Sequence, residues 1–155
     1  MQGDTTRSAG SVSELLGSDH RRLDAILAEV KRALAAGDLA GAAARFSAFR
    51  EGLERHIVAE EQVLFPAFES ATGLSGGGPT QVMRAEHAEL RRLLDELAAS
   101  LPRAGDDERT SLLGVLTGLI RAHNGKEERI LYPMTDQALR DAPEREEVLQ
   151  RLREL

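Results

Sequence analysis

Residues 56–66 read HIVAEEQVLFP, and residues 123–133 read HNGKEERILYP, so one pattern occurs twice in the chain. A shift of 67 positions superimposes the two runs, and the same shift places His20 on His87. Each half of the sequence therefore contains an isolated histidine, followed by a His-x-x-x-Glu-Glu run that ends in Leu-aromatic-Pro. Repetition over such a distance predicts two copies of one supersecondary unit.

The rest of the sequence has the periodicity of helices, because apolar residues recur every three or four positions and no stretch alternates at every second position. Ser11 and Asp38 are suitable N-caps for the first two helices, and Pro79 suits the first turn of the third. The fourth helix is predicted to begin near Asp106. A short fifth helix is predicted to begin after Asp141.

Two helical hairpins of this kind predict an all-α fold: an antiparallel four-helix bundle built from two repeated hairpins, plus a short C-terminal helix. A chain of 155 residues has room for one such domain with its own core. We expect a disordered tail at residues 1–10, the bundle at residues 11–140 and the C-terminal helix at residues 141–155.

The composition excludes several classes of protein. The sequence has no cysteine, which excludes disulfide frameworks, thiol catalysis and cysteine-ligated zinc or iron–sulfur clusters. A formal charge of −6 and an aromatic content of 3% argue against a nucleic-acid partner. No apolar run is long enough to cross a membrane, and no signal-peptide pattern is present. We therefore predict a cytoplasmic protein, monomeric or weakly dimeric, without a nucleic-acid or membrane partner.

All four histidines of the sequence lie inside the repeat. His56 and Glu60 are four residues apart, about 40° around a helix, so their side chains share one face. His123 and Glu127 repeat this arrangement on the fourth helix. Both pairs continue apolar stripes, which indicates that they point into the bundle.

His20 and His87 also lie on apolar stripes, so four imidazoles and two carboxylates are expected to converge at one level of the bundle. Burying ionised carboxylates without partners costs several kcal/mol each, and a coordinated metal ion removes that cost. The donors fit two ions, each with a histidine pair and bridged by both carboxylates. Pairing within the hairpins would join His20 to His56, and His87 to His123. Such donors suit Fe, Zn, Mn or Cu.

Other interpretations of these residues are available. A histidine on an apolar helix face is commonly a packed core residue, but four of them in register across a repeat indicate metal binding. Glu61 and Glu128 lie about 100° around the helix from the neighbouring glutamates. We predict surface or helix-contact roles for both, with a hydrogen bond to a histidine as the alternative. Tyr132 matches Phe65 in the repeat, and we predict that it packs in the core, with a redox or outer-sphere role as the alternative.

The doubled pattern resembles the hemerythrin-like (HHE cation-binding) family over roughly residues 13–139. The resemblance implies a non-haem di-iron centre, with two Fe ions and a bridging oxo or hydroxo group, inside a four-helix bundle. It also implies that Glu60 and Glu127 are the bridging carboxylates. The metal ligands carried over by position are His20, His56, Glu60, His87, His123 and Glu127.

One departure from the family pattern bears on function. Respiratory hemerythrins use a fifth histidine one turn from the third-helix ligand, where this sequence has Met83 and Arg91. With four histidines, both irons could keep an exchangeable position, which weakens the O2-carrier interpretation. Family members that repair iron centres usually add a cysteine-bearing N-terminal segment, and we expect none here.

The predicted function is therefore a reaction with small oxidants, most of all H2O2 in a catalase-like reaction, or NO or O2. No catalytic residue is predicted beyond the metal ligands. The alternative is a non-catalytic sensor of O2, redox state or iron, or an iron-binding module. The predicted partners in either case are small molecules.

Overall fold

The computed structural model describes residues 10–155, which form helices and short turns with no β-strand among them. Two π-helical turns, Glu60–Leu64 and Glu127–Leu131, join neighbouring α-helices into continuous rods. The predicted all-α fold is confirmed, whereas the predicted tail lies, apart from Gly10, outside the described residues. The α-helices are α1 (Val12–Ala35), α2 (Leu39–Ala59), α3 (Phe65–Thr72), α4 (Pro79–Ser100), α5 (Asp106–Lys126), α6 (Tyr132–Leu139) and α7 (Arg145–Arg153).

Four rods form the bundle: α1, α2 continued by α3, α4, and α5 continued by α6. The first rod packs along α2 and also contacts α5 and α6, while α4 contacts α2 and α5. Each rod therefore packs between two others, as two hairpins packed together require, and α3 also contacts α6 across the bundle. The short helix α7 lies against α1 and the first π turn.

The helix ends follow the local signals of the sequence. The Ser11 side chain accepts a hydrogen bond from the backbone N–H of Glu14, and Asp38 caps α2 through the N–H of Gly41. Pro79 is the first residue of α4, where its missing N–H is not needed. The predicted starts of these three helices are thus confirmed.

The bundle interior consists of two apolar clusters with a polar layer between them. The Phe68 cluster includes Leu16, Leu64, Phe68 and Leu131, and the Phe49 cluster includes residues such as Phe49 and Leu116. On α1, for example, Leu16 belongs to the first cluster and Leu23 to the second, with His20 between them. The polar layer comprises His20, His56, Glu60, His87, His123 and Glu127.

The two π turns lie where the rods cross this layer. In each turn a backbone N–H bonds to the carbonyl five residues earlier, from Phe65 to Glu60 and from Tyr132 to Glu127. Pro66 is the second residue after the first turn. A proline in a helix removes one backbone hydrogen bond and crowds the preceding turn, and a wider turn accommodates that crowding. The sequence analysis expected uninterrupted helices here and missed both turns.

Asp136 on α6 ties the end of one rod to the start of another. Its carboxylate accepts hydrogen bonds from the backbone N–H groups of Val12 (2.7 Å) and Ser13 (3.0 Å), and from the Ser13 hydroxyl (2.7 Å). The first N–H groups of a helix have no partner within the helix, and a negative charge there is favourable.

We expect Asp136→Ala to destabilise the protein by about 2 kcal/mol, because it leaves these donors without an acceptor. Urea denaturation of the metal-free protein measures the change. Asp141→Ala is the matched control, since the Asp141 side chain is 92% exposed. Equal unfolding midpoints for the two variants would contradict the assigned role.

Among the described residues, no helix has both the length and the apolar character needed to cross a lipid bilayer.

Candidate metal centre

The structure brings all six predicted ligands together in the polar layer, and each has only 0–5% of its surface exposed. They come from four rods: His20 from α1, His56 from α2, His87 from α4 and His123 from α5. The two glutamates are the first residues of the two π turns. The layer is closed by apolar side chains above and below, so its electrostatic interactions are strong.

Glu60 lies between histidines of both hairpins. Its Oε1 atom is 3.3 Å from the Nε2 atom of His56, in the same hairpin, and 3.3 Å from that of His87, in the other. A carboxylate in this position can reach ions held by either hairpin.

Glu127 has the equivalent position in the second half. Its Oε1 atom is 3.2 Å from the Nε2 atoms of both His20 and His123, and its Oε2 atom is 3.8 Å from Nε2 of His87. Each of the two carboxylates thus contacts histidines of both hairpins.

The histidines form two pairs. The ring centroids of His20 and His56 are 4.6 Å apart, and those of His87 and His123 are 5.0 Å apart. This arrangement matches the pairing within hairpins that the sequence suggested. Ligand atoms of Glu60, His87, His123 and Glu127 lie within 4.8 Å of one another, as do those of His20, His56 and Glu127.

Three atoms in the layer indicate that it is built for a metal. Within the described part of the chain, Glu60 Oε1, His87 Nε2 and Glu127 Oε2 are buried side-chain atoms that approach one another but have no partner in hydrogen-bonding geometry. Leaving such atoms unsatisfied costs about 1–3 kcal/mol each, and more when they are charged. Imidazole nitrogen and carboxylate oxygen are donors to Fe, Zn, Mn and Cu, so a cation among them would satisfy all three.

The opposite side of every histidine ring contacts a carboxylate. An ionised carboxylate only accepts hydrogen bonds, so Nδ1 donates and Nε2 faces the centre of the layer. Carboxylates in this position orient metal-binding imidazoles and make them more basic. The Nδ1-to-oxygen distances in these pairs are 2.8 Å for His56–Asp19, 2.9 Å for His123–Glu86, 3.1 Å for His87–Glu61 and 3.2 Å for His20–Glu128.

These four outer carboxylates were only partly foreseen. For Glu61 and Glu128 the structure supports the alternative role, a hydrogen bond to a histidine, over a simple surface role. Asp19 and Glu86 were missed, although the 67-residue shift superimposes them and could have drawn attention to them.

Basic side chains neutralise part of this outer charge. Arg22 donates to Asp19 over 2.8 Å, and Lys126 donates to Glu86 over 2.6 Å. Burial alone would raise the pKa of Asp19, but the hydrogen bonds from His56 and Arg22 lower it below the usual value. Asp19 therefore stays ionised and continues to accept the hydrogen bond from the His56 imidazole.

Tyr132 packs in the Phe68 cluster, which confirms the predicted packing role, and its hydroxyl also enters the polar layer. Its Oη atom is 2.8 Å from Glu60 Oε2, 3.1 Å from Glu127 Oε1, 3.1 Å from His20 Nε2 and 3.2 Å from His56 Nε2. The hydroxyl therefore contacts a glutamate and both histidines of the first hairpin and a glutamate of the second.

The π turn explains this placement of Tyr132. In an α-helix a residue five positions along lies about 140° away around the axis, so Tyr132 would not share a face with Glu127. The π turn brings the two onto one face. Phe65 has the equivalent position in the first half, and its ring stacks on His87 with centroids 5.5 Å apart.

Comparison with known proteins agrees with this geometry. The family model described as the hemerythrin HHE cation binding domain matches residues 11–135. The chain belongs to the hemerythrin HHE family.

Two curated relatives of this hemerythrin-family chain are iron-sulfur cluster repair proteins YtfE, from Yersinia pestis (strain Pestoides F) and Yersinia pseudotuberculosis (serotype O:1b, strain IP 31758). Each is 44% identical over 55 residues, which cover 36% of this chain and 25% of the relative. The match thus spans about a quarter of the relatives' length. No solved structure matches the chain significantly.

Met83 and Arg91, the residues one helical turn from His87, are engaged elsewhere. Met83 is buried in the Phe68 cluster. Arg91 pairs with the exposed Glu54 over 2.9 Å and with Glu61 over 2.9 Å. Neither side chain adds a nitrogen donor to this hemerythrin-family layer.

Without a metal, protons balance the charge of the hemerythrin layer. Burial lowers the pKa of His56, but the carboxylates of Glu60 and Asp19 outweigh it and raise that pKa to about 10. Burial also opposes protonation of His87, while Glu127 and Glu60 raise its pKa to about 9. A metal ion binds neutral imidazole, so metal loading would displace these protons.

Proposed function

We propose that this hemerythrin-family chain holds two iron ions in the polar layer and reacts there with small oxidants, H2O2 first among them. The single observation that carries the proposal is the set of three buried atoms without a hydrogen-bond partner, one on His87 and one on each glutamate of the layer. The proposed ligands are His20, His56, Glu60, His87, His123 and Glu127, with the two glutamates as bridges.

The donor set favours redox or ligand-binding chemistry over storage of iron mineral. Ferritin-like sites are rich in carboxylates, with Glu from two helices and Glu-x-x-His from two others. Here four imidazoles accompany two carboxylates, so nitrogen donors dominate. An iron pair in such a layer would supply the electron transfer that peroxide turnover needs.

The residues of the chain orient the imidazole rings of the proposed ligands and shield the polar layer from water. The four outer carboxylates fix the imidazole tautomer, so that Nε2 faces inward. The Phe49 and Phe68 clusters exclude bulk water on either side of the layer. A surface groove of about 190 Å³ is lined by Glu86, Leu119, His123 and Lys126, and would give a small molecule access to the edge of the layer.

The curated relatives are named iron-sulfur cluster repair proteins, and this chain matches only about a quarter of their length. We therefore keep reaction with NO or O2 as a secondary proposal for the same centre, and the cytoplasmic location stays a prediction. Monomer or weak homodimer is proposed for the assembly.

The test begins with the metal content and the visible spectrum of the aerobically purified native protein, followed by addition of H2O2. We expect about two irons per chain, a charge-transfer spectrum typical of coupled ferric ions, and sustained O2 evolution. A protein that keeps both irons but does not turn over H2O2 is the sensor or iron-binding module instead.

Two variants of α2 separate metal binding from packing. His56→Ala should lose iron and activity together. Leu53→Ala removes a core side chain that is 4% exposed on the same helix, and it should lower stability while iron remains bound. If the native protein takes up no iron even after reconstitution, or if His56→Ala keeps both ions, the proposal is wrong.

A further inference from the structure

The polar layer is less symmetric than the repeat that builds it. Each π turn places an aromatic residue beside the layer, but the first half supplies Phe65 and the second half supplies Tyr132. The phenol is fully buried, at 0% exposure, and its hydroxyl lies within the polar layer. A buried hydroxyl at one of two otherwise matching positions makes the two halves of the centre chemically different.

The hydroxyl has the spacing of a metal ligand. Its four neighbours, two imidazole nitrogens and two carboxylate oxygens, lie between 2.8 and 3.2 Å from Oη. In an octahedral complex with bonds of about 2.1 Å, adjacent donors are about 3.0 Å apart. Oη is thus placed as the donor adjacent to all four neighbours around one ion, and phenolate oxygen is an established ligand of iron in proteins.

The other half of the layer has no such donor. The apolar ring of Phe65 stacks on His87, and it has no oxygen or nitrogen atom that could bind a metal ion. The unpartnered atoms of the layer include His87 Nε2 together with one oxygen of each glutamate, while on the Tyr132 side the hydroxyl contacts both histidines. The surface groove of about 190 Å³ is lined by His123 together with Glu86 and Lys126, at the outer side of the layer.

We infer that Tyr132 is a further metal ligand, bound to the ion held by His20 and His56, and that exogenous small molecules bind at the ion held by His87 and His123. On binding to Fe(III), the phenol O–H bond breaks, an Fe–O bond forms and the proton leaves to solvent, without electron transfer. The first ion then has five protein donors and the second has four. A bridging oxo or hydroxo group would fill one more position on each ion, which would leave one exchangeable position, at the second ion. This inference rests on the proposed iron pair.

Spectroscopy of iron-loaded protein tests the assignment without any activity measurement. Tyr132 is the only tyrosine of the sequence, so every phenolate-to-iron(III) signal comes from it. We expect the ferric protein to show a visible phenolate charge-transfer band, with phenolate ring modes in the resonance Raman spectrum. Tyr132→Phe should lose both signals and keep about two irons per chain.

Azide binding tests the second part. The native ferric protein should bind one azide per chain, and Tyr132→Phe should bind a second, because the position left by the phenolate becomes exchangeable. Phe65→Tyr is the mirror variant, and it should compete with azide at the second ion and weaken its binding about tenfold or more. Far-UV circular dichroism checks that each variant is folded.

The outcomes distinguish the two proposals. Native protein with two irons and no phenolate signal would overturn the inference about Tyr132 while leaving the di-iron proposal intact. The same holds if native protein and Tyr132→Phe bind equal numbers of azide ions. Failure to bind iron at all overturns both.

Discussion

Replacing Glu127 by glutamine is expected to reduce the bound iron from about two ions per chain to fewer than about one, and to abolish peroxide turnover with it. Glutamine has nearly the same shape, but its amide carries no charge and its nitrogen cannot bind a cation. Because Glu127 contacts histidines of both hairpins at 3.2 Å, its loss weakens the sites of both ions. Metal analysis after gel filtration measures the result.

The matched control is Glu51→Gln, since Glu51 is an exposed glutamate on α2, outside the polar layer. This variant should bind iron like the native protein. If Glu127→Gln keeps both ions and full turnover, Glu127 is not a bridging ligand and the assigned architecture of the centre fails.

The metal-free protein is expected to lose stability between pH 7 and pH 9, whereas the iron-loaded protein keeps its stability over that range. The pKa of His56 is raised from 6.5 to about 10, and that of His87 from 6.5 to about 9. The stability contributed by a raised histidine pKa is fully present below pH 6.5 and declines as the pH rises toward the folded-state pKa. The slope reaches about 1.4 kcal/mol per pH unit for each histidine.

The loaded protein behaves differently because metal-bound imidazole carries no extra proton. Protons compete with the ion, so higher pH favours loading. Thermal unfolding of chelated and iron-loaded protein at pH 6 and pH 9 measures both trends. Metal-free Glu127→Gln is the control, and its decline should be shallower because one of the carboxylates that raise these pKa values is gone.

At acid pH the stability of the metal-free protein is expected to change in the opposite direction, and to fall as the pH falls. Burial would raise the pKa of Glu127, but hydrogen bonds from its neighbours, His123 among them, hold it well below the usual value. The stability from this carboxylate is therefore present above pH 4.5 and is lost as the pH falls below that.

For the alkaline range, a metal-free protein equally stable at pH 6 and pH 9 would show that the histidines are not protonated in the folded state.

The sequence predicted those parts of the fold that depend on short-range chemistry. Helix starts at Ser11, Asp38 and Pro79 were predictable because a cap needs only residues within one turn. The convergence of four histidines and two glutamates was predictable because helical spacing and the repeat place them at equivalent positions. The assignment of these six residues as metal ligands stays a prediction.

Features that depend on departures from ideal helices, or on distant contacts, were not predictable. A helix drawn at 100° per residue places Tyr132 away from Glu127, and no residue pattern used in the sequence analysis signalled a π turn. Asp19 accepts a hydrogen bond from His56 on the next rod, and not from His20, its neighbour in the sequence. Asp136 caps a helix that begins 124 residues earlier in the chain.

The division of the interior into the Phe49 and Phe68 clusters has a consequence for cooperativity. Apolar contacts alone do not join the two clusters continuously, because a layer of charged and polar groups lies between them. Bound ions would connect all four rods at the level of the layer. The two half-cores, which are the Phe49 and Phe68 clusters, would then unfold together. In the metal-free chain we expect each half-core to open on its own, so that hydrogen exchange would distinguish the residues on the two sides of the layer.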